Sequence, residues 1–524
     1  MVNAMKNKKI IAIVAGAILV TVVVLSFVFL NNSESISELS SKCGDGICDE
    51  KEQTNPSLCP EECKTVEISG NRFGVFPSVN PIDILESAEQ LGIQKTRFIL
   101  SWEKLEPKKN HFDFSLSDIY INKHYEAGIM PVVTIKSDSS WGTRGGYGDF
   151  QASLPLNLDD YEKFIRTVVG RYKDKVKYWQ IENEVYENSR YWDGSKEEYI
   201  KLLKRAYTVI KEVDPDAKIV LQGFANMMFI EIDNGNKSAI DFFNYIMSKG
   251  DYFDAIDFHQ YFEPETVYME IDILKKALAT YGYNKPIICT EAGGLDLRLF
   301  GQQIRHMQDP SISNVPIVEK LLLLPSVSDK LQEILLNGLS EEEWIDFGIF
   351  LKTNIKSRPI LEKYQAENLV KRISLTFGQG VEFINWFAMT DFEKPKEWFF
   401  SHLGLVDVDR RKKPHYYTYK LLIDKLEGFE RADEISFFDS KIVKFTFADK
   451  KTQFILWSEG KETIIDLSSH ISTPNVKITH FIIELDGNNN PIYPPEKIVP
   501  TKSIPLSETP IFIEEIIKDE PSWN

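Results

Sequence analysis

The sequence predicts a (β/α)8 barrel followed by a small β-sandwich. Three observations carry this. Eight short apolar runs alternate with segments of helical period between residues 72 and 426. Gly, Asn and Pro mark the joins between them. No Gly-rich phosphate loop follows the first run, where an open doubly wound sheet normally carries one.

Residues 72–76 form the first strand. Asn80 and Pro81 open the next helix as cap and first-turn proline, and Gly92 ends it. Residues 95–100 are the second strand, and the helix through 119–127 stops at Gly128. The third strand, 130–135, precedes a helix from about 158 to 172. The fourth, 176–181, precedes a helix around 197–213. The fifth and sixth strands, 219–222 and 255–258, are followed by helices around 239–247 and 267–281. Residues 287–290 and 381–386 are the seventh and eighth strands, and 414–426 is a closing amphipathic helix. The seventh-to-eighth connection, 292–380, is far longer than a simple crossover. Its insertion, about 297–358, holds helical pieces at 317–324 and 341–355 and is expected to shape a substrate cleft. The barrel thus spans 70–428. Beyond it, strand-like runs at 435–447, 452–457, 463–467 and 477–485, with a turn at Gly487 to Pro491, predict a β-sandwich over 429–524 that braces the barrel.

Ahead of the barrel, residues 10–30 are apolar except for Thr21 and Ser26, long enough to span a bilayer. Lys6, Lys8 and Lys9 precede them, so residues 1–9 are expected in the cytoplasm and everything after the span outside it. The sequence after the span lacks the small residues of a cleavage site, which favours a membrane anchor over a cleaved signal peptide. Residues 31–42 read as a linker. Cys43, Cys48, Cys59 and Cys63 form a small module, 43–63, expected to carry two disulfides of undefined connectivity. Zinc fits those spacings less well. Asp45, Asp49 and Glu52 offer carboxylates, but not in the EF-hand pattern for calcium. Cys289 belongs to an apolar strand interior.

A net charge of -17 over 524 residues argues against nucleic acid as a partner. It suits a soluble ectodomain acting on a neutral ligand. Barrel enzymes carry their chemistry at the C-terminal ends of the strands. There the chain places Arg97 (strand two), Asn183 and Glu184 (four), His259 and Tyr261 (six), Glu291 (seven) and Trp386 (eight). Two carboxylates so placed can cleave a glycosidic bond with no metal or cofactor, one as acid and base, the other as nucleophile. Each residue also has a plain structural reading: a solvated strand end, a core ion pair, a rim aromatic. Glu182 shares the strand parity of Glu184 and is its rival; one step deeper, it suits a supporting role.

Four motifs in order give the set its specificity. Trp102-Glu103-Lys104-Leu105-Glu106-Pro107 follows strand two, Trp179 precedes Asn183-Glu184, His259 and Tyr261 lie on strand six, and Thr290-Glu291 ends strand seven. Together they resemble the clan A retaining glycoside hydrolases, with families 39, 5 and 42 as neighbours, over about residues 70–428. The resemblance implies that Glu184 is the acid/base, Asn183 binds the sugar 2-hydroxyl, and Glu291 is the nucleophile. Arg97 and Tyr261 would hold Glu291 ionised and oriented. His259 would orient the acid/base or a sugar hydroxyl, and Trp386 would floor the subsite beside the scissile bond. Trp141 is a second candidate for that floor, while Trp102 and Glu106 read as loop structure. The two carboxyls should then lie about 5 to 5.5 Å apart, against about 9 Å for inversion. Val185, where many members have Pro, and Ser137-Asp138 after strand three depart from the commoner pattern and leave the sugar open. A transglycosidase on the same site and a catalytically silent sugar-binding protein are the competing readings. A mere binder needs neither carboxylate.

Overall fold

The computed structural model describes residues 72–516 apart from 78–80, 145–151, 188, 190, 262, 295–357, 392–402 and 438. The anchor at 10–30, the cysteine module and the helical pieces at 317–324 and 341–355 lie outside the described residues. Among the described residues no helix is long and apolar enough to cross a membrane.

Eight parallel strands form one sheet: β1 (Phe73–Phe76), β2 (Lys95–Ser101), β3 (Met130–Lys136), β4 (Tyr178–Ile181), β5 (Lys218–Val220), β6 (Ile256–Gln260), β7 (Ile287–Ala292) and β8 (Ile384–Phe387). Their order is β5-β4-β3-β2-β1-β8-β7-β6. Parallel bridges from Val220 to Ala255 and from Phe224 to Phe258 join the two ends and close the barrel. Around it run α1 (Pro81–Leu91), α2 (Ser115–Glu126), α3 (Leu158–Tyr172), α4 (Lys196–Val213), α5 (Asn226–Asp233), α6 (Lys237–Met247), α7 (Thr266–Tyr281), α8 (Arg358–Gly378) and α9 (Pro414–Leu426). Local chemistry sets their ends. The Asn157 side chain accepts the Asp159 N–H to start α3, and Ser195 with Glu198 makes a reciprocal capping box on α4. Helix α5 was not foreseen. It begins without a side-chain cap, so the sequence carries no start signal for it.

Strand alternation sorts the core into two layers. Val132, Tyr178, Val220, Ala255, Ile288 and Phe383 form an apolar cluster inside the barrel. Their neighbours Val133, Trp179, Ile219, Ile256, Cys289 and Ile384 belong instead to the large core shared with the helices. Further along each strand the inward positions turn polar, with Arg97, Thr134, Gln180, Asp257 and Thr290 all buried.

The C-terminal domain is an antiparallel six-stranded sheet. Its strands are β9 (Phe429–Phe437), β10 (Ser440–Phe447), β11 (Thr452–Ser458), β13 (Asn475–His480), β14 (Lys497–Pro500) and β16 (Ile511–Glu515), and β12 (Thr463–Ile465) pairs separately with β15 (Ile504–Leu506). Alternation again gives two faces. Val443, Phe445, Ile455, Trp457 and Phe512 join the barrel's core. Ile442, Phe454, Leu456, Ile511 and Ile513 pack with Ile465, Ile504 and Leu506 of the small ladder. The predicted single run 435–447 is in fact a hairpin turning at Asp439, whose φ of 52° is left-handed.

Candidate active site

The site is assembled by two departures from regular strand geometry. The first ends β4. Ile181 is its last residue, and Glu182 and Glu184 then adopt left-handed φ values of 67° and 46°. Such values are uncommon for Glu, and clusters of them mark functional sites. Pure alternation would have aimed Glu182 and Glu184 alike. The turn instead sends the Asn183 amide to Arg97 and the Glu184 carboxyl to His259.

The second is a β-bulge in β7. Phe258 pairs with Cys289, but the next residue, His259, pairs with Glu291. The extra residue lets both Thr290 and Glu291 reach inward. The Thr290 hydroxyl donates to Asp257 Oδ2 at 2.6 Å, while Glu291 meets the Arg97 guanidinium and the Tyr261 hydroxyl.

Arg97 is the hub. It is 0% exposed and also donates to Thr134 Oγ1 (2.9 Å), Gln180 Oε1 (2.7 Å) and Asn183 Oδ1 (2.6 Å). Removing it takes a donor from four acceptors, though Gln180 keeps Thr134 and Glu291 keeps Tyr261. Arg97→Leu is expected to destabilise the fold by about 3–5 kcal/mol in urea unfolding, the usual cost of leaving a buried charge unpaired. A loss under about 1 kcal/mol would contradict this account of the hub.

His259 bridges the carboxyls. Nδ1 lies 2.6 Å from Glu184 Oε1 and 3.7 Å from Glu291 Oε2, and Nε2 lies 3.3 Å from Asp257 Oδ2. With carboxylates at both ring nitrogens, both act as donors. Burial opposes the imidazolium, but Glu291, Asp257 and Glu184 outweigh it and lift His259 to about 10. Burial also raises the Glu184 carboxyl, reinforced by the charge of Glu291 and countered by His259. Three carboxyls thus face two cations in a largely buried site. Burial favours the proton on Glu184, while Arg97 and Tyr261 hold the Glu291 carboxyl. Burial pushes the Tyr261 phenol well above its ordinary value, so it remains a donor to Glu291.

A sign follows for pH. A general acid at Glu184 would act only while protonated, so activity would fall as pH rises through its raised pKa. His259 lowers that pKa. His259→Asn should therefore move the alkaline limb of kcat/KM to higher pH. A limb that stays put or moves down would show that another group sets it.

Asn183 leaves one group spare. Its Oδ1 accepts from Arg97, and its buried Nδ2 has no hydrogen-bond partner among the described residues. An unpaired buried donor beside two carboxyls is suited to a ligand hydroxyl.

The two tryptophans fall elsewhere. On β8, inward Phe383 fixes the parity, so Asn385 and Phe387 face in while Ile384 and Trp386 face out. The Trp386 indole is 1% exposed, packs in the outer core and donates to Leu403 O at 3.3 Å. The aromatic beside the carboxyls is Phe387, with ring centroids 5.6 Å from Tyr261 and 5.0 Å from Phe76. The expectation of a Trp386 floor is corrected to the next residue. Trp141 donates to Glu106 O at 2.7 Å and stacks edge-on against Trp102. Trp102 in turn donates to Glu106 Oε2, and Trp102–Leu105 is a single helical turn, so this motif is structural.

Gln180, Thr134 and Asp257 were missed. The signal for them was present: polar residues at alternate positions in otherwise apolar strands, as in Asp257 and His259 of β6. Glu184, His259 and Glu291 present donor atoms all within 4.8 Å of one another, a set that could hold a metal ion. Arg97 on Glu291 and the imidazolium of His259 oppose a cation there.

Residues 79–209 match the family described as Glycosyl hydrolase family 1, a family the sequence motifs had not singled out. An endo-1,4-beta-xylanase A of Caldicellulosiruptor sp. (strain Rt8B.4) is 27% identical over 187 residues, covering 32% of this chain and 27% of the xylanase. The chain therefore spans about a quarter of that relative's length. A family 39 glycoside hydrolase from Bacteroides cellulosilyticus WH2 superposes with a TM-score of 0.55 at 14% identity, over 86% of this chain and 82% of that one. A glucosidase from Croceicoccus marinus gives 0.51 at 11%, over 87% and 98%. The resemblance to clan A glycoside hydrolases is borne out: the sequence matches fall among glycoside hydrolases, and the fold is theirs across most of the chain.

Proposed function

We propose that this protein is a retaining glycoside hydrolase of β-linked poly- or oligosaccharides, with Glu291 as nucleophile and Glu184 as acid/base. The observation that carries the reading is the approach of the two carboxyls within one buried pocket, oxygen atoms of each lying within 4.8 Å. That supports retention, since inversion needs room for a water at about 6.5–9.5 Å.

Glu291, ionised beside Arg97 and oriented by Tyr261, attacks the anomeric carbon. Glu184 delivers its proton to the departing oxygen, and a glycosyl ester forms on Glu291. Once Glu291 is neutral, one charge that raised the Glu184 pKa is gone, so the Glu184 carboxylate stays ionised and can take a proton from water. That water attacks the same carbon and releases the sugar with its configuration retained. The spare Asn183 Nδ2 suits the 2-hydroxyl, and Phe387 offers an apolar face.

The extracytoplasmic, membrane-anchored location rests on residues 10–30 and the lysines before them. The test of function is a panel of 4-nitrophenyl β-glycosides, starting from xylosides because the xylanase relative suggests them. If the wild type turns over no sugar while still binding one, the enzyme reading falls.

A further inference from the structure

Glu182 takes no part in the chemistry above, yet it is 0% exposed and lies two residues from Glu184. Tyr178 and Gln180 point into the barrel, and alternation would send Glu182 after them. It goes elsewhere. Glu182 Oε1 accepts the Ser137 N–H at 2.7 Å, just past the end of β3. Its charge is felt by Tyr161 of α3 and Tyr199 of α4, and its charged neighbours are Lys136 and Asp138. The carboxyl therefore sits beneath the turn, against the helix layer.

The turn it supports is costly. Left-handed Glu residues on both sides of Asn183 are strained and persist only where the surroundings over-determine them. The backbone is fixed before and after: Glu182 N–H donates to Ile135 O at 3.0 Å, and Val185 N–H to Gln222 Oε1 at 2.8 Å. Between those points the bond from Glu182 to Ser137 ties the turn to the neighbouring strand. His259 then meets Glu184 from the opposite side.

We propose that Glu182 is the positioning residue of the acid/base: its bond to the Ser137 N–H holds the left-handed turn that aims the Glu184 carboxyl at the glycosidic oxygen. The proposal rests on the reading of Glu184 as acid/base. It requires an acceptor at this position, not a charge. Burial lifts Glu182 to about 7, consistent with a group that works neutral as well as ionised.

The test is kcat/KM across aryl β-glycosides of the best sugar in the panel, from 2,4-dinitrophenyl, which leaves without a proton, to 4-methylphenyl, which needs one. Glu184→Ala should lose little on the first and about 10²–10⁴-fold on the second. Glu182→Ala should show the same slope at smaller size, about 10–100-fold on the 4-methylphenyl glycoside, because a misplaced acid costs that much. Glu182→Gln, which keeps the acceptor, should stay close to wild type on both. If the alanine variant does not fold, Glu182→Asp, one methylene shorter, should give the same pattern. An equal loss on every leaving group, or none, in a folded Glu182 variant would overturn the proposal while leaving the acid/base reading intact. No leaving-group dependence in Glu184→Ala would remove the reading itself, and the proposal with it.

Discussion

Replacing Glu291 by Gln is expected to lower kcat/KM by about 10⁴-fold or more on every accepted sugar, with the protein still folded and still binding. The amide is isosteric and keeps a carbonyl acceptor for Arg97 and Tyr261, the two partners that hold the carboxylate. What it removes is the carboxyl oxygen that the proposed mechanism uses to form the glycosyl ester. An alanine would confuse this result, since Arg97 would be left as a buried charge without its carboxylate. Kinetics on the panel sugar, with a thermal melt and a binding isotherm on the same preparation, check the claim. Turnover within tenfold of wild type would mean that another residue is the nucleophile.

Glu184→Gln is the second large effect. Loss of general acid catalysis should reduce kcat/KM by about 10²–10⁴-fold on substrates with poor leaving groups. The pH profile should change with it. Burial and Glu291 hold the Glu184 proton to higher pH than an ordinary carboxyl, so the wild-type alkaline limb reports its loss. In the variant that limb should vanish, since the amide does not titrate. A variant that keeps the limb would assign it to His259 or another group.

Much of this site was legible in the sequence. Arg97, Asn183, Glu184, His259, Tyr261 and Glu291 were all named from strand ends, and the structure brings the six into one connected network. They could be read because barrel strands are short, apolar and punctuated by turn residues, so a polar residue at a strand end stands out. The helix 158–172 was read to its last residue because the side-chain cap Asn157 and the apolar stripe agree.

Other features depend on geometry that residue types do not encode. Trp386 was named for the floor because its indole suits a sugar face, whereas the inward parity set by Phe383 turns Phe387, not Trp386, into the barrel. Glu182 and Glu184 looked equivalent by alternation, and two left-handed residues break that alternation. Thr290 and Glu291 are adjacent yet both face inward, which a regular strand forbids and a bulge permits. The hairpin at Asp439 was hidden because Phe437 and Phe438 before it read as continuing strand.

The most direct measurement is covalent trapping. The 2-deoxy-2-fluoro, 2,4-dinitrophenyl glycoside of the sugar accepted in the panel should inactivate the wild-type protein. Peptide mass mapping should then find one glycosyl adduct, on Glu291. An adduct on a different carboxylate, or turnover of the sugar with inverted configuration and no adduct at all, would contradict the account.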